Sequence, residues 1–223
     1  MEIIPTEKRE KMHSSKLFQK TNAIWNNHNY NQRRYIGCVT DAIKKFIKTK
    51  NIEELKEVTK DDFMNYYFEN VKSQEELEEI AIKFKNAIFQ DIGLHISEIV
   101  AFAFVLMRVI DDTFIGIKRE LAIIEELQKK YPDCKIEITD EILDCDYAID
   151  LIRIKNGKII EGIQVKPESF ISGRFKNYIK IACYQNYEKH KKFMAKYKPE
   201  MITYYTTDNN LNNIKTYDYT YVA

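Results

Sequence analysis

The sequence predicts an α/β core behind a mainly helical N-terminal region, and three observations carry that prediction. Two runs rich in β-branched and aromatic residues, 146–154 and 158–165, flank Lys155-Asn156-Gly157. That is hairpin chemistry, because Gly accepts a positive φ at no steric cost. A helical run at 177–197 leads past Pro199 to a strand at 201–206, the order of a parallel crossover. Upstream of residue 110, apolar residues recur at helical spacing instead. The boundary is therefore set between a helical region, 1–110, and the core, 111–223.

The elements follow in order. Residues 35–48 carry Ile36, Val39, Ile43, Phe46 and Ile47 on one helical stripe. Helices at 52–58 and 61–71 come next, and Ser73-Gln74-Glu75-Glu76 is a capping box for a helix ending near Phe89. Ser97 caps a buried helix to Ile110. Its apolar run, 99–107, is too short to span a bilayer and is bounded by Glu98 and Arg108. A helix over 114–130 turns Ile117, Leu121, Ile124 and Leu127 inward, and 135–138 is a short strand. After the hairpin, Pro167 ends ladder pairing, 168–175 is a loop, Asp208-Asn209-Asn210 is a turn, and 217–222 is a last strand at a sheet edge.

At 223 residues, 44% hydrophobic and 31% charged, the chain is long enough for a substantial core and has a soluble, globular composition. Cys38, Cys134, Cys145 and Cys183 are dispersed, with neither a CxxC nor a zinc spacing, so they read as free thiols in a reducing, cytoplasmic compartment. Residues 1–5 lack the apolar run of a signal peptide, and no membrane partner is expected. Net charge is +1, but it is unevenly spread. Residues 1–50 hold 11 Lys+Arg against 4 Asp+Glu, and 153–198 hold 12 against 3. Residues 51–80 hold 3 against 10, and 111–150 hold 5 against 12. The basic blocks suit phosphates and the acidic block before the hairpin suits a metal ion, although plain solvated faces explain any one block equally well.

Turn type decides what the hairpin presents. A two-residue Asn156-Gly157 loop pairs Lys155 with Lys158 and sets Asp150 against Ile163, so Gln164 faces away. A three-residue loop with Gly157 as a bulge sets Asp150 against Gly162, with Gln164 and Lys166 on its face. The bulged register is expected, with Gly162 leaving room beside the three. Asp150 is then a hard oxygen ligand for Mg2+, Gln164 offers a carbonyl oxygen to the metal or orients water, and Lys166 polarises the attacking water or stabilises a pentacovalent phosphate. Asp146 falls opposite Lys166 in that register and competes with Asp150 or adds a second metal ligand. The ordinary alternative is a half-exposed hairpin with surface charges.

Asp150-Leu151-Ile152 followed by Gln164-Val165-Lys166 resembles the active-site hairpin of the PD-(D/E)XK nuclease superfamily, in its variant with Gln in place of the acid. Thr113-Phe114-Ile115-Gly116-Ile117-Lys118-Arg119-Glu120 and Lys166-Pro167 with Ser169-Phe170 resemble the MjaI family of type II restriction endonucleases. The resemblance covers the C-terminal half and, more faintly, 21–37. It implies a restriction-endonuclease-like core, a central mixed sheet with the active-site hairpin flanked by helices. It also implies that Glu120 lends the metal site a carboxylate, where periodicity alone makes it a surface acid. The implied activity is Mg2+-dependent cleavage of double-stranded DNA at a short palindrome such as CTAG, leaving 5′-phosphate and 3′-hydroxyl ends. Palindromes favour a homodimer.

The N-terminal region is then assigned to recognition and dimerisation. Residues 21–34, TNAIWNNHNYNQRR, are crowded with amides and arginines, and such side chains read adenine and guanine edges or clamp phosphates. The candidate DNA-binding residues are Asn22, Trp25, Asn26, Asn31, Gln32, Arg33 and Arg34, with Ser172, Arg174 and Lys176 after the hairpin. Two other readings stay open: a structure-selective nuclease such as a junction resolvase, and a non-catalytic DNA-binding protein on a degenerate nuclease fold.

Overall fold

A computed structural model of the chain describes residues 1–48, 57–168, 176–208, 211 and 213–218. Most of the expected helix at 52–58, the loop bearing Ser172 and Arg174, the Asn209-Asn210 turn and the end of the last strand lie outside the described residues. The chain divides into two compact units, Met1–Ile115 and Gly116–Ala223.

The first unit is helical. Helix α1 (Thr6–His13) is followed by α2 (Lys16–Asn27), whose cap Ser15 accepts from Phe18 N at 3.2 Å. Residues 21–27 of the amide-rich stretch are thus helix. The single helix expected over 35–48 is divided into α3 (Arg33–Ile36) and α4 (Val39–Lys48), because Gly37 turns to φ +66 between them. Helix α5 (Lys60–Asn70) starts on a Thr59/Asp62 capping box, and α6 (Gln74–Ile92) on the expected Ser73/Glu76 box. Helix α7 (Glu98–Leu106), capped by Ser97, is buried along most of its length.

A π turn, Met107–Asp111, continues from α7 into α8 (Asp112–Lys130), where the two units divide. The turn supplies two polar anchors of this unit. Asp111 accepts from Arg9 Nε and Nη2, both at 2.9 Å, and both residues are buried. Arg108 donates to Phe18 O, Thr21 Oγ1 and Asn22 Oδ1, and its guanidinium lies 4.2 Å over the Phe18 ring. No described helix is long and apolar enough to cross a membrane.

The second unit is a mixed sheet in the order β1-β2-β3-β4-β5. Strands β1 (Lys135–Ile138), β2 (Leu151–Lys155) and β3 (Lys158–Pro167) are antiparallel neighbours. Helix α10 (Lys176–Tyr197) leads to β4 (Met201–Thr207), which is parallel to β3, and β5 (Lys215–Asp218) closes an edge. Pro167 still has a register partner, Thr207, so pairing runs one residue beyond the expected stop.

Two sequence expectations fail here. The first is the strand at 146–154. Residues Glu141–Tyr147 form helix α9, because Asp140 caps it by accepting from Leu143 N at 2.9 Å. Ala148 ends α9 in the left-handed region, and β2 begins only at Leu151. The second is the bulged turn. Lys155 pairs with Lys158 around a two-residue loop, with Asn156 and Gly157 both at positive φ, the backbone of a type I′ turn. The bulge comes later. Ile154 pairs with Ile159 but Arg153 pairs with Glu161, so Ile160 is the extra residue. Its carbonyl accepts from Glu200 N at 2.8 Å.

The two faces of the sheet carry different layers. Leu151, Ile163, Val165 and Tyr205 pack with Ile123 and Leu127 of α8. Ile149, Ile152 and Ile202 pack with Leu143 of α9 and Phe193 of α10. Gly162 lies beneath Phe193, and a Cβ there would meet Phe193 Cε1 at 2.6 Å and Ile149 Cδ1 at 3.0 Å. The space that the sequence left open beside the site is thus filled by an aromatic ring. Gly162→Ala is expected to destabilise the protein by about 1–3 kcal/mol through overpacking. Urea unfolding measures this, and an unchanged midpoint would show that Phe193 yields without cost.

Candidate active site

Past the bulge, Ile152 pairs with Gly162 and Leu151 with Ile163, and the same register brings Asp150 level with Gln164. Gln164 and Lys166 alternate with Val165 and so share Asp150's face, the one covered by α10. The three side chains meet. Asp150 Oδ2 accepts from Gln164 Nε2 and, at 2.7 Å, from Val165 N, and Lys166 Nζ lies 3.8 Å away. All of these contacts fall on Oδ2. Asp150 and Gln164 are buried, whereas Lys166 is partly open to solvent. Gln164 Oε1 is buried and makes no hydrogen bond among the described residues.

The backbone under Asp150 is clamped by a residue that the sequence did not single out. Thr139, just after β1, donates its hydroxyl to Ile149 O at 2.6 Å, and its N–H donates to Asp150 O at 3.0 Å. Two more residues missed from sequence lie on the same face. Tyr204 pairs with Gln164 and Thr206 with Lys166 across the parallel ladder. Buried His190 of α10 bonds Tyr147 O through Nδ1 at 3.0 Å and Tyr204 Oη through Nε2 at 2.8 Å. A carbonyl only accepts, so Nδ1 carries the proton and Nε2 accepts from the tyrosine hydroxyl. Desolvation pushes the His190 pKa down to about 4, and the charge of Lys166 acts in the same direction. The only sequence signal for Tyr204 and Thr206 was the strand assignment of 201–206, which fixes alternation but not depth.

The remaining candidates separate. Asp146 is exposed on α9 and not on a strand opposite Lys166, so the pairing expected from sequence does not exist. Glu120 is on α8, which packs Ile123 and Leu127 on the opposite face of the sheet, and it is not among the partners of Asp150's carboxylate. Among the described residues, no three His, Cys, Asp or Glu side chains are grouped closely enough to hold a metal ion. Asp150, Asp146 and Glu120 therefore do not make a three-carboxylate cluster.

In the first unit, Trp25 is buried against Tyr30 and Phe84, at ring distances of 5.5 and 5.1 Å, so it is a core residue and not a stacking platform. Asn22 is engaged by Arg108. Asn26, Asn31, Gln32, Arg33 and Arg34 are exposed, with Arg34 lying 4.7 Å over the Tyr35 ring. Ser172 and Arg174 lie outside the described residues, and Lys176 opens α10.

An acid, an amide and an ammonium converging on neighbouring strands of a mixed sheet are the groups that a phosphodiester hydrolase needs. The family model of the MjaI restriction endonuclease matches residues 20–216, most of the chain, and the protein belongs to that family. Membership makes it a nuclease by class, with DNA as its substrate. No curated protein and no solved structure matches the chain.

The depressed pKa of His190 has a measurable consequence. Its value when folded lies below the ordinary 6.5, so the unfolded chain binds the proton more readily. That contribution to stability is complete above the unfolded value and declines as pH falls toward about 4, by about 3 kcal/mol in total. Urea unfolding between pH 7 and 4 should show a steeper loss for the parent than for His190→Gln. Equal slopes would mean that His190 protonates without resistance from the fold.

Proposed function

We propose that this chain is a type II restriction endonuclease of the PD-(D/E)XK superfamily. In this reading it hydrolyses double-stranded DNA at a short palindromic site, with Mg2+ and as a homodimer. The observation that carries the reading is the convergence of Asp150, Gln164 and Lys166 on one sheet face, in a chain whose family is a restriction endonuclease family.

The residues fit a hard divalent ion. Asp150 gives its Oδ2 to protein donors, leaving Oδ1 outside the described contacts, and Gln164 holds an unpartnered buried carbonyl oxygen. Both are oxygen donors of the kind that Mg2+ takes. Asp150 and Gln164 would hold the ion, which when bound supplies Lewis-acid polarisation of a phosphate oxygen and a more acidic water. The Val165 N–H and the Thr139 clamp fix Asp150's orientation before any ligand arrives. Lys166 supplies a positive charge at the partly open edge of the site, where the extra negative charge of a pentacovalent phosphate develops. Neither Asp146 nor Glu120 is needed as a ligand in this reading.

The exposed amides and arginines of the first unit, Asn26, Asn31, Gln32, Arg33 and Arg34, are the proposed contacts to DNA. The two units divide the work between recognition and chemistry, and a two-fold dimer matches the symmetry of a palindrome.

Incubation with plasmid and Mg2+, with an EDTA control, tests the activity directly. Discrete fragments are expected. Cutting confined to branched DNA would mean a junction nuclease, and binding without cutting a degenerate one. Lys166→Ala and Asp150→Asn should each slow cleavage by about a hundredfold or more while leaving the fold intact. Asp146→Asn should cleave like the parent, and the reverse order for the two aspartates would sink the assignment.

Recognition is tested by competition binding in Ca2+ at several salt concentrations. If Arg33 pairs with guanine, Arg33→Ala costs about 1–3 kcal/mol on the specific duplex and relaxes one position. If it meets phosphate, all duplexes weaken together and the salt slope falls by about one. An Arg33→Ala, Arg34→Ala double variant with parental affinity and slope would remove this stretch from the interface.

A further inference from the structure

Lys166 is a donor without a close acceptor among the described residues. Its ammonium makes no described hydrogen bond, and its ion pair with Asp150 Oδ2 is 3.8 Å long. Thr206 is its register partner in the parallel ladder, so both side chains leave the sheet on the same face. Thr206 is fully buried, yet its hydroxyl has no hydrogen-bond partner among the described residues. A valine would fill the same volume without stranding a polar atom, so the hydroxyl needs an explanation. The neighbouring residue of β4 on that face, Tyr204, donates its hydroxyl to His190.

We infer that Thr206 is a positioning residue for Lys166, its Oγ1 accepting a hydrogen bond from the ammonium when a divalent cation engages Asp150. This rests on the nuclease reading given above. A cation on Asp150 neutralises the charge that draws Lys166 toward β2, so the ammonium needs another acceptor to keep its place. In the same reading Gln164 Oε1 is turned to the cation, and Thr206 is the hydroxyl in register with Lys166 on the adjacent strand. An acceptor on the ammonium holds it in one place instead of leaving it to sample several.

The test uses full-length protein with 13C-labelled lysine, Thr206→Val and Thr206→Ser variants, and Ca2+ as the cation. The Lys166 resonance is assigned by its loss in Lys166→Arg. In Ca2+ the Lys166 ε-methylene should be ordered in the parent and in Thr206→Ser, and motionally averaged in Thr206→Val. In Mg2+, the single-turnover cleavage rate of Thr206→Val should fall about tenfold, the size of one hydrogen bond to a charged group. DNA affinity in Ca2+ should stay parental, and Thr206→Ser should restore both rate and order. A Lys166 methylene in Thr206→Val as ordered as the parent's overturns the inference, whatever the rate. So does a Thr206→Ser variant as mobile as Thr206→Val. A parent that cleaves no DNA would instead overturn the nuclease reading, and the order of Lys166 would still decide the role of Thr206.

Discussion

One extra residue in β3, Ile160, determines which side chains share the face of Asp150. A strand has a period of two, so a slip of one residue sends every side chain to the other side. The Asn156-Gly157 turn alone would set Asp150 level with Ile163 and turn Gln164 and Lys166 into the layer under α8. The bulge shifts the ladder by one between the Arg153 and Ile154 pairs. The shift leaves no stranded carbonyl, because Ile160 O accepts from Glu200 N at the start of β4. The acid–amide–ammonium cluster, the packing of Gly162 under Phe193 and the pairing of Lys166 with Thr206 all follow from that single insertion.

The two faces of this sheet treat buried charge differently. Under α8, Arg153 Nε donates to Glu161 Oε2 at 2.7 Å, Thr203 donates to the other carboxylate oxygen, and the guanidinium lies 4.2 Å over Tyr131. That network is closed, as buried ionic groups require when they serve structure. Under α10, the pairing is incomplete. Gln164 Oε1 and Thr206 Oγ1 lack partners, and Lys166 stands beyond hydrogen-bond distance from Asp150. Buried polar atoms without partners are costly, so these two lower stability beside the carboxylate, as Thr207 Oγ1 does elsewhere in this unit. His190 keeps its neutral form there, because desolvation pushes its pKa down to about 4.

Unit 1 shows how far a stretch of suggestive composition can be absorbed by its own fold. The π turn directs Asp111 to Arg9 and Arg108 to α2. Burial lowers the Arg108 pKa to about 10, yet three acceptors and the Phe18 ring hold the guanidinium in place. Asn22 and Trp25 are used up in that arrangement, Asn22 as an acceptor and Trp25 as core. Exposure then selects Asn26, Asn31, Gln32, Arg33 and Arg34 from the same stretch.

The sequence by itself determined the elements whose signals are local. The Ser73 capping box, the Ser97 cap, the helix after residue 112, the Asn-Gly turn and the strand after Pro199 are each written within a few residues. Its alternation also put Gln164 and Lys166 on one face, and the structure brings both of them to Asp150. Tertiary structure decided the rest. Asp140 caps α9 only because 141–147 can lay Leu143 beneath α10, and that removes Asp146 from the sheet. The bulge lies at Ile160 and not at Gly157, and the Ile160 carbonyl finds its donor forty residues away in Glu200, just before β4, a partner that no local pattern shows. Burial of Trp25, the His190–Tyr204 pair and the unpartnered Thr206 hydroxyl are likewise contacts between distant segments, and residue spacing carries no information about them.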